Sequence, residues 1–345
     1  MHDLVWFYPQ GHEAHFLPGH PERPERLEAI CAALQEQGWW QAFPQLDPLR
    51  LTKNTLESIH APAYLARLEQ ACQRGLFLDA DTYTRPASWD LAHQAAGGAA
   101  AVANAVWSRE ARRGFALTRP PGHHATRDRG MGFCLLNNIS LAAEYLLQEA
   151  GARRLAIVDL DLHHGNGTQD IFYARGEVFY LSTHQSPLYP GTGALEETGS
   201  GPGERTTANF PLPPFSGDRA FLAVMDALIL PLLDRYQPEM LLVSYGFDPH
   251  WSDPLGNLRL SAQGCWQLIE RLSGWSERNC SGRLALFLEG GYNLDAAAAC
   301  TLAVTAALLE EPWQPSDMAA AGSAPQPEGS SWEIIFRRAR ELWKL

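Results

Sequence analysis

Six short runs of aliphatic and aromatic residues punctuate the chain, at 4–8, 114–118, 154–160, 178–183, 240–245 and 284–288. Amphipathic stretches at 87–106, 136–149, 218–236, 261–277 and 295–309 separate most of them with helical periodicity. Runs of four to eight residues that are apolar throughout fit strands buried on both faces. Their alternation with helices predicts an α/β chain with a mostly parallel central sheet and helices on both faces.

The ends of those runs carry a second pattern. His123 and His124 follow the second run, in Arg-Pro-Pro-Gly-His-His-Ala, and Asp159, Asp161, His163 and His164 follow the third. His184 closes the fourth, Asp248, His250 and Asp253 the fifth, and Glu289 and Tyr292 the sixth. Ligands of parallel sheets sit beyond the carboxyl ends of the strands. One or two such endings arise by chance, whereas five converging on one edge predict a site.

Asp161 and His163 are separated by one residue, so both point the same way from a strand end. With Asp248 they make a set of two carboxylates and one imidazole, which suits zinc or ferrous iron at an open catalytic position. A lone Asp-x-His is more often a hydrogen-bonded loop cap; the adjoining histidine and the matching Asp248 favour ligation. Paired histidines after a Pro-Pro-Gly turn are, alone, ordinary surface residues. Beside a metal, one imidazole takes a proton from the activated water, with Asp159 and Asn166 as candidate partners that fix the tautomers. Tyr292, after Gly290 and Gly291, offers a phenolic donor to a carbonyl oxygen as it becomes tetrahedral. The set predicts metal-assisted amide hydrolysis.

The 345 residues carry 27 basic and 39 acidic side chains, a net charge of −12. That balance disfavours nucleic acid and anionic lipid as partners and favours cationic substrates or basic protein tails. The sequence shows neither a continuous apolar stretch of membrane-spanning length nor a signal peptide, and its six cysteines are scattered without Cys-x-x-Cys pairs. Reduced thiols and a cytoplasmic location are expected. The whole chain, 1–345, reads as one catalytic domain, with a Pro/Ala/Gly/Ser-rich surface connection over 312–331 and a last helix over 332–344.

The motifs His-Pro-Glu-Arg-Pro-Glu-Arg-Leu (20–27), Arg-Pro-Pro-Gly-His-His-Ala (119–125) and Gly-Met-Gly-Phe-Cys-Leu-Leu-Asn-Asn (130–138) run in order along the chain. They continue through Asp-Leu-Asp-Leu-His-His-Gly-Asn-Gly-Thr-Gln (159–169), Leu-Ser-Thr-His (181–184) and Tyr-Pro-Gly-Thr-Gly (189–193). Gly-Phe-Asp (246–248), Asp-Pro-Leu-Gly (253–256) and Leu-Glu-Gly-Gly-Tyr-Asn-Leu (288–294) complete the series. Together they resemble the histone deacetylase family, including class II-like bacterial histone deacetylase-like amidohydrolases and acetylpolyamine amidohydrolases.

The resemblance implies an arginase/deacetylase-like three-layer fold. It implies zinc on Asp161, His163 and Asp248, with His124 as general base and acid and His123 electrostatic against Asp159. Asn166, beside His124, is similar to class II enzymes, where class I has aspartate. Tyr292 would polarise the carbonyl, and a structural potassium would use Asp159, Asp161, His163 and Ser182. Gly132, Phe133, Tyr189 and Leu255 would shape an acyl-lysine tunnel, and Arg26 would face a product cavity. Leu255 stands where polyamine-specific relatives carry glutamate, which implies acylated lysine in a peptide or protein as substrate, with an acetylated polyamine as the alternative; Asp79, Asp81 or Glu13 would then supply an acidic rim. A homo-oligomer is left open.

Two rivals remain. An arginase-type ureohydrolase shares the fold and binds two manganese ions, but Gly165 and His250 stand where the second ion needs carboxylates. A non-catalytic acyl-lysine or polyamine binding module would have little use for the retained ligands, histidines and tyrosine.

Overall fold

The computed structural model describes residues 1–313 and 327–345. Seven strands form its sheet: β1 (His2–Phe7), β2 (Ala111–Ala116), β3 (Leu155–Asp159), β4 (Val178–Gln185), β5 (Thr207–Leu212), β6 (Met240–Tyr245) and β7 (Leu284–Leu288). Their spatial order is β1-β2-β7-β6-β3-β4-β5, and every pairing is parallel. The expected sheet is therefore present, with no antiparallel member among the named strands.

The helices are α1 (Glu25–Glu36), α2 (Trp39–Ala42), α3 (Lys53–Ile59), α4 (Pro62–Arg74), α5 (Ser88–Trp107) and α6 (Asn138–Gln148). They continue with α7 (Asn166–Phe172), α8 (Asp218–Val224), α9 (Leu230–Tyr236), α10 (Ala262–Asn279), α11 (Leu294–Leu308) and α12 (Trp332–Trp343). Side-chain caps fix several starts: Asn137 accepts from the Ser140 N–H, Ser261 from Gly264 and Asn293 from Ala296. Each satisfies a backbone donor that the first helical turn leaves unpaired.

The strands feed two apolar layers alternately. On β3, Ala156 and Val158 pack into one cluster and Leu155 and Ile157 into the other. On β7, Leu284, Leu286 and Leu288 enter the first layer, Ala285 and Phe287 the second. Burial on both faces explains why these segments are apolar throughout instead of alternating.

Three expectations need correction. The single helix expected over 218–236 is α8 and α9 joined by a π-helical segment, Met225–Ile229. Pro231 opens α9, and a proline that lacks its N–H breaks the regular ladder there. Strand β5 escapes the sequence reading because Pro211 and Asn209 dilute its apolar run; on a sheet edge, proline is tolerated. Helices α1 to α4 and α7 fall in stretches not assigned from sequence. The connection expected over 312–331 lies mostly outside the described residues, while the last helix forms as α12.

The topology places the site. From β3 the chain crosses to β4 on one side, and from β6 it crosses to β7 on the other. The two connections diverge and leave a crevice at the carboxyl ends of the neighbours β3 and β6, where Asp159 lies in register with Ser244.

Candidate active site

Asp161 and His163 leave the end of β3, and Asp248 leaves the end of β6 beside it. One ligand atom from each lies within 4.8 Å of the others. His163 Nδ1 is 3.3 Å from Asp161 Oδ1 and 3.2 Å from Asp248 Oδ2. The main chain aims both carboxylates: Gly290 N–H donates to Asp161 Oδ2 (2.8 Å) and Leu162 N–H donates to Asp248 Oδ1 (3.1 Å).

These residues fit a divalent cation. Asp248 Oδ2 is buried, faces His163 Nδ1 at 3.2 Å and makes no well-aligned hydrogen bond, an arrangement that a cation shared with His163 would complete. Burial and the neighbouring Asp161 push Asp248 up to about 7. Against its own burial, His123 and His163 hold Asp161 well below the usual carboxylate range. Two carboxylates converging in a dry site favour a cation between them. The cradle is also closed to side chains. A Cβ on Gly246 would sit 1.9 Å from Asp161 Oδ2, and one on Gly290 would sit 2.2 Å from Asp248 Oδ2.

The two adjacent histidines have opposite environments, their rings 4.1 Å apart. His123 Nδ1 lies 3.1 Å from Asp159 Oδ2, and Asp159 also accepts from the Tyr180 hydroxyl (3.0 Å). Burial alone would lower His123, but Asp161, Asp159 and Glu289 outweigh it and raise its pKa to about 10. His124 Nδ1 faces Asn166 Oδ1 at 2.8 Å. Burial, then the positive charge of His123 and of His163, pushes His124 well below its ordinary value. An amide oxygen can only accept, so Nδ1 carries the hydrogen and Nε2 keeps a lone pair. The pair thus offers one cation and one neutral base.

Glu289, at the end of β7, holds the histidine turn in place. Its Oε2 accepts N–H bonds from Gly122 (2.7 Å) and His123 (3.0 Å), and its Oε1 accepts from Ser244 (3.2 Å). Burial pushes this carboxyl up to about 7. Ser182 is the β4 neighbour of Asp159 in the sheet, with its hydroxyl 2.9 Å from His184 Nδ1.

Tyr292 is anchored from behind. Its N–H donates to Asp253 Oδ2 (2.7 Å), and Asp253 Oδ1 accepts from Leu255 (3.0 Å), so one carboxylate ties Tyr292 to the half-buried Leu255. Arg26 lies over the Tyr292 ring at 5.0 Å and donates to the carbonyls of Gly291 and Glu289, each at 2.6 Å. Arg26 is therefore behind the tyrosine loop, engaged by main chain and by Glu22 (3.2 Å). Phe133 meets Tyr292 edge-on at 5.8 Å, and Tyr189 meets His124 edge-on at 5.2 Å. Gly132 (φ +54°) turns between them; a side chain there would strike the His124 ring at 2.4 Å.

The histone deacetylase domain matches residues 20–308. The chain belongs to the histone deacetylase family. A probable deacetylase from Archaeoglobus fulgidus is 42% identical over 294 residues, 84% of this chain and 82% of that protein. The histone deacetylase-like amidohydrolase of Pseudomonas aeruginosa is 34% identical over 288 residues, 83% of this chain and 76% of its own. The crystal structure of the HDA15 HD domain superposes with a TM-score of 0.89 at 32% identity, covering 99% of this chain and 94% of that one. The fold is that of the histone deacetylases, and the protein is a hydrolytic deacetylase.

Asp161, His163 and Asp248, with His123, His124 and Asn166, come together at the carboxyl edge of the sheet, and Arg26 packs behind the loop of Tyr292. Tyr180, Glu289 and Asp253 were not assigned roles there. Tyr180 reads as one more apolar strand residue, and the reach of Asp253 across 39 residues to the Tyr292 backbone leaves no local signal.

Proposed function

We propose that this deacetylase removes acetyl or other acyl groups from lysine side chains of peptides or proteins, using zinc, with ferrous iron as the alternative ion. Asp161, His163 and Asp248 would hold the metal. The observation that supports this most directly is the convergence of their ligand atoms within 4.8 Å, with Asp248 Oδ2 buried against His163 Nδ1 and in no well-aligned hydrogen bond. A divalent cation held there supplies Lewis acidity, which makes water nucleophilic near neutral pH.

The remaining chemistry belongs to side chains. His124, neutral and with Nε2 free to accept, takes a proton from the attacking water and passes it to the departing amine. His123, held cationic by Asp159 and Asp161, stabilises the negative charge that grows on the reacting carbon's oxygens. Burial keeps the Tyr292 phenol protonated well above its usual range, so it donates to the carbonyl oxygen as it turns tetrahedral. Phe133 and Tyr189 flank the approach, and Gly132 keeps it open. Asp159, Asp161, His163 and Ser182 are proposed to hold a structural potassium, an assignment supported by the register of Asp159 beside Ser182. Arg26 is proposed to border the cavity that receives the product.

One feature favours acyl-lysine over polyamine. Leu255 puts an apolar side chain where a polyamine ammonium would need a carboxylate. Arginase-type chemistry lacks its second carboxylate set at Gly165 and His250. Among the described residues no helix is long and apolar enough to cross a membrane, and all six cysteines are free and buried. The net charge of −12 supports a reading without nucleic-acid or anionic-lipid partners, and the buried free thiols support a cytoplasmic location; residues 1–345 are read as one catalytic domain.

The test is turnover of a fluorogenic acetyl-lysine amide by zinc-loaded protein, with Asp248→Ala as control. Cleavage that stops on chelation, and in a variant that elemental analysis shows to be metal-free, supports the reading. Cleavage that survives both overturns it, and urea release from agmatine would instead establish a ureohydrolase.

A further inference from the structure

A cleft of about 720 Å³ borders Asn166, the partner of His124. One wall is the loop Thr126, Arg127, Asp128 and Arg129; the facing side brings Asp170 and Glu197. This loop runs straight into Met131, whose sulfur is 3.5 Å from Asn166 Nδ2, and then into Gly132 and Phe133 of the approach. Thr192, also on the cleft, follows Tyr189 by three residues and bonds to His164 (2.8 Å). The cleft therefore adjoins the outside of the walls that flank the approach to His124.

Its charges suit one kind of occupant. Arg127 and Arg129 bring exposed guanidinium groups, Arg127 already donating to the Ser58 carbonyl (2.8 Å), while Asp128, Asp170 and Glu197 bring carboxylates, Asp128 already accepting from the Thr126 hydroxyl (3.0 Å). Among these five residues the one ion pair is the open Arg129–Asp128 contact at 4.0 Å, both side chains largely exposed. Glu197 uses one oxygen on Gln169 (2.6 Å). A polypeptide presents carbonyl acceptors and N–H donors alternately along its length, so both signs find partners. A polyamine has only cationic donors and would leave two arginines facing a like charge.

We propose that this cleft reads the chain flanking the acyl-lysine, so that the enzyme prefers acyl groups carried on an extended polypeptide to those on a free polyamine or a bare lysine amide. The proposal rests on the acyl-lysine reading above and adds a recognition site for the flank to it. Arg129 and Asp170 are its exposed specificity-determining residues, remote from the proton-transfer groups.

The experiment compares kcat/KM of zinc-loaded protein on three substrates: a fluorogenic acetyl-lysine amide, a nonapeptide with a central acetyl-lysine and charged flanks, and an acetylated spermidine. Wild-type protein is expected to prefer the nonapeptide. Arg129→Gln and Asp170→Asn should each raise KM for the nonapeptide about threefold to tenfold, with kcat and activity on the bare amide unchanged. Turnover of amide and nonapeptide at equal efficiency, or variants that change both alike, overturns the cleft while leaving the acyl-lysine reading standing. Preference for the spermidine overturns the flank proposal directly. Loss of turnover on both lysine substrates overturns the acyl-lysine reading and the flank proposal with it.

Discussion

His124 donates from Nδ1 to Oδ1 of Asn166 across 2.8 Å, a neutral acceptor where a carboxylate would also fit. The contact fixes the imidazole tautomer without adding negative charge, while burial and then the neighbouring His123 push His124 well below its ordinary value. An Asn166→Asp variant should raise the His124 pKa, because a carboxylate favours the imidazolium. The general base must be neutral to act, so the acid limb of the kcat/KM profile is expected to move to higher pH. A profile that stays in place, measured on the acetyl-lysine amide, would show that His124 is not the titrating base.

Tyr292 is predicted to matter for rate and not for metal. Its N–H, tied to Asp253, and its ring, under Arg26, are untouched by removing the hydroxyl. Tyr292→Phe should lower kcat on the order of a hundredfold to a thousandfold, the usual cost of one oxyanion donor, with zinc content and melting temperature preserved. Unchanged kcat would remove the phenol from the chemistry.

Glu289 is predicted to act through position. Its carboxylate grips two consecutive N–H groups of the turn that bears both histidines. Glu289→Gln loses a charged acceptor, lets that turn shift, and should reduce kcat about tenfold to a hundredfold while KM and zinc occupancy hold. A fall in zinc content with unchanged kcat per bound zinc would mean that the carboxylate only braces the metal loops.

Acid sensitivity has a separate origin, in histidines away from the metal. His12, His15 and His60 are buried, and burial pushes each down to about 4. In His60, Nδ1 donates to the Thr126 carbonyl and Nε2 accepts from Asn137, each at 2.9 Å, an arrangement open only to the neutral ring. The unfolded chain binds protons near 6.5, so it takes up more protons than the native state between that value and about 4. Stability is therefore complete above about pH 6.5 and declines as pH falls toward 4, by about 1.4 kcal/mol per pH unit for each histidine. His60→Gln should be less stable at pH 8 yet lose stability with a slope one proton shallower in denaturant titrations. Equal slopes would exclude His60 from the acid response.

Much of this is legible in the sequence. The strands carrying Asp161, His163, Asp248 and Tyr292 are apolar on both faces, so their runs stand out, and the polar residues that follow them mark the edge of the sheet. Strand β5 did not stand out because an edge strand can carry Pro211 and Asn209 without penalty. The helix over 218–236 looked continuous because its apolar periodicity runs through Pro231, whereas the backbone must widen by a residue to pass it. Tyr180, Glu289 and Asp253 were harder for another reason. Their work is done by bonds to Asp159, to Gly122 and His123, and to Tyr292, which only the folded topology brings near.

Gly246 and Gly290 take no part in the chemistry, yet the paired carboxylates close on their bare backbones so tightly that even one methyl group would displace them. Saturation mutagenesis of this enzyme should therefore find dead positions that an activity-based map of functional groups would pass over. Any effort to retune the metal preference has to work through the ligands themselves, because the walls on either side have no room left to give.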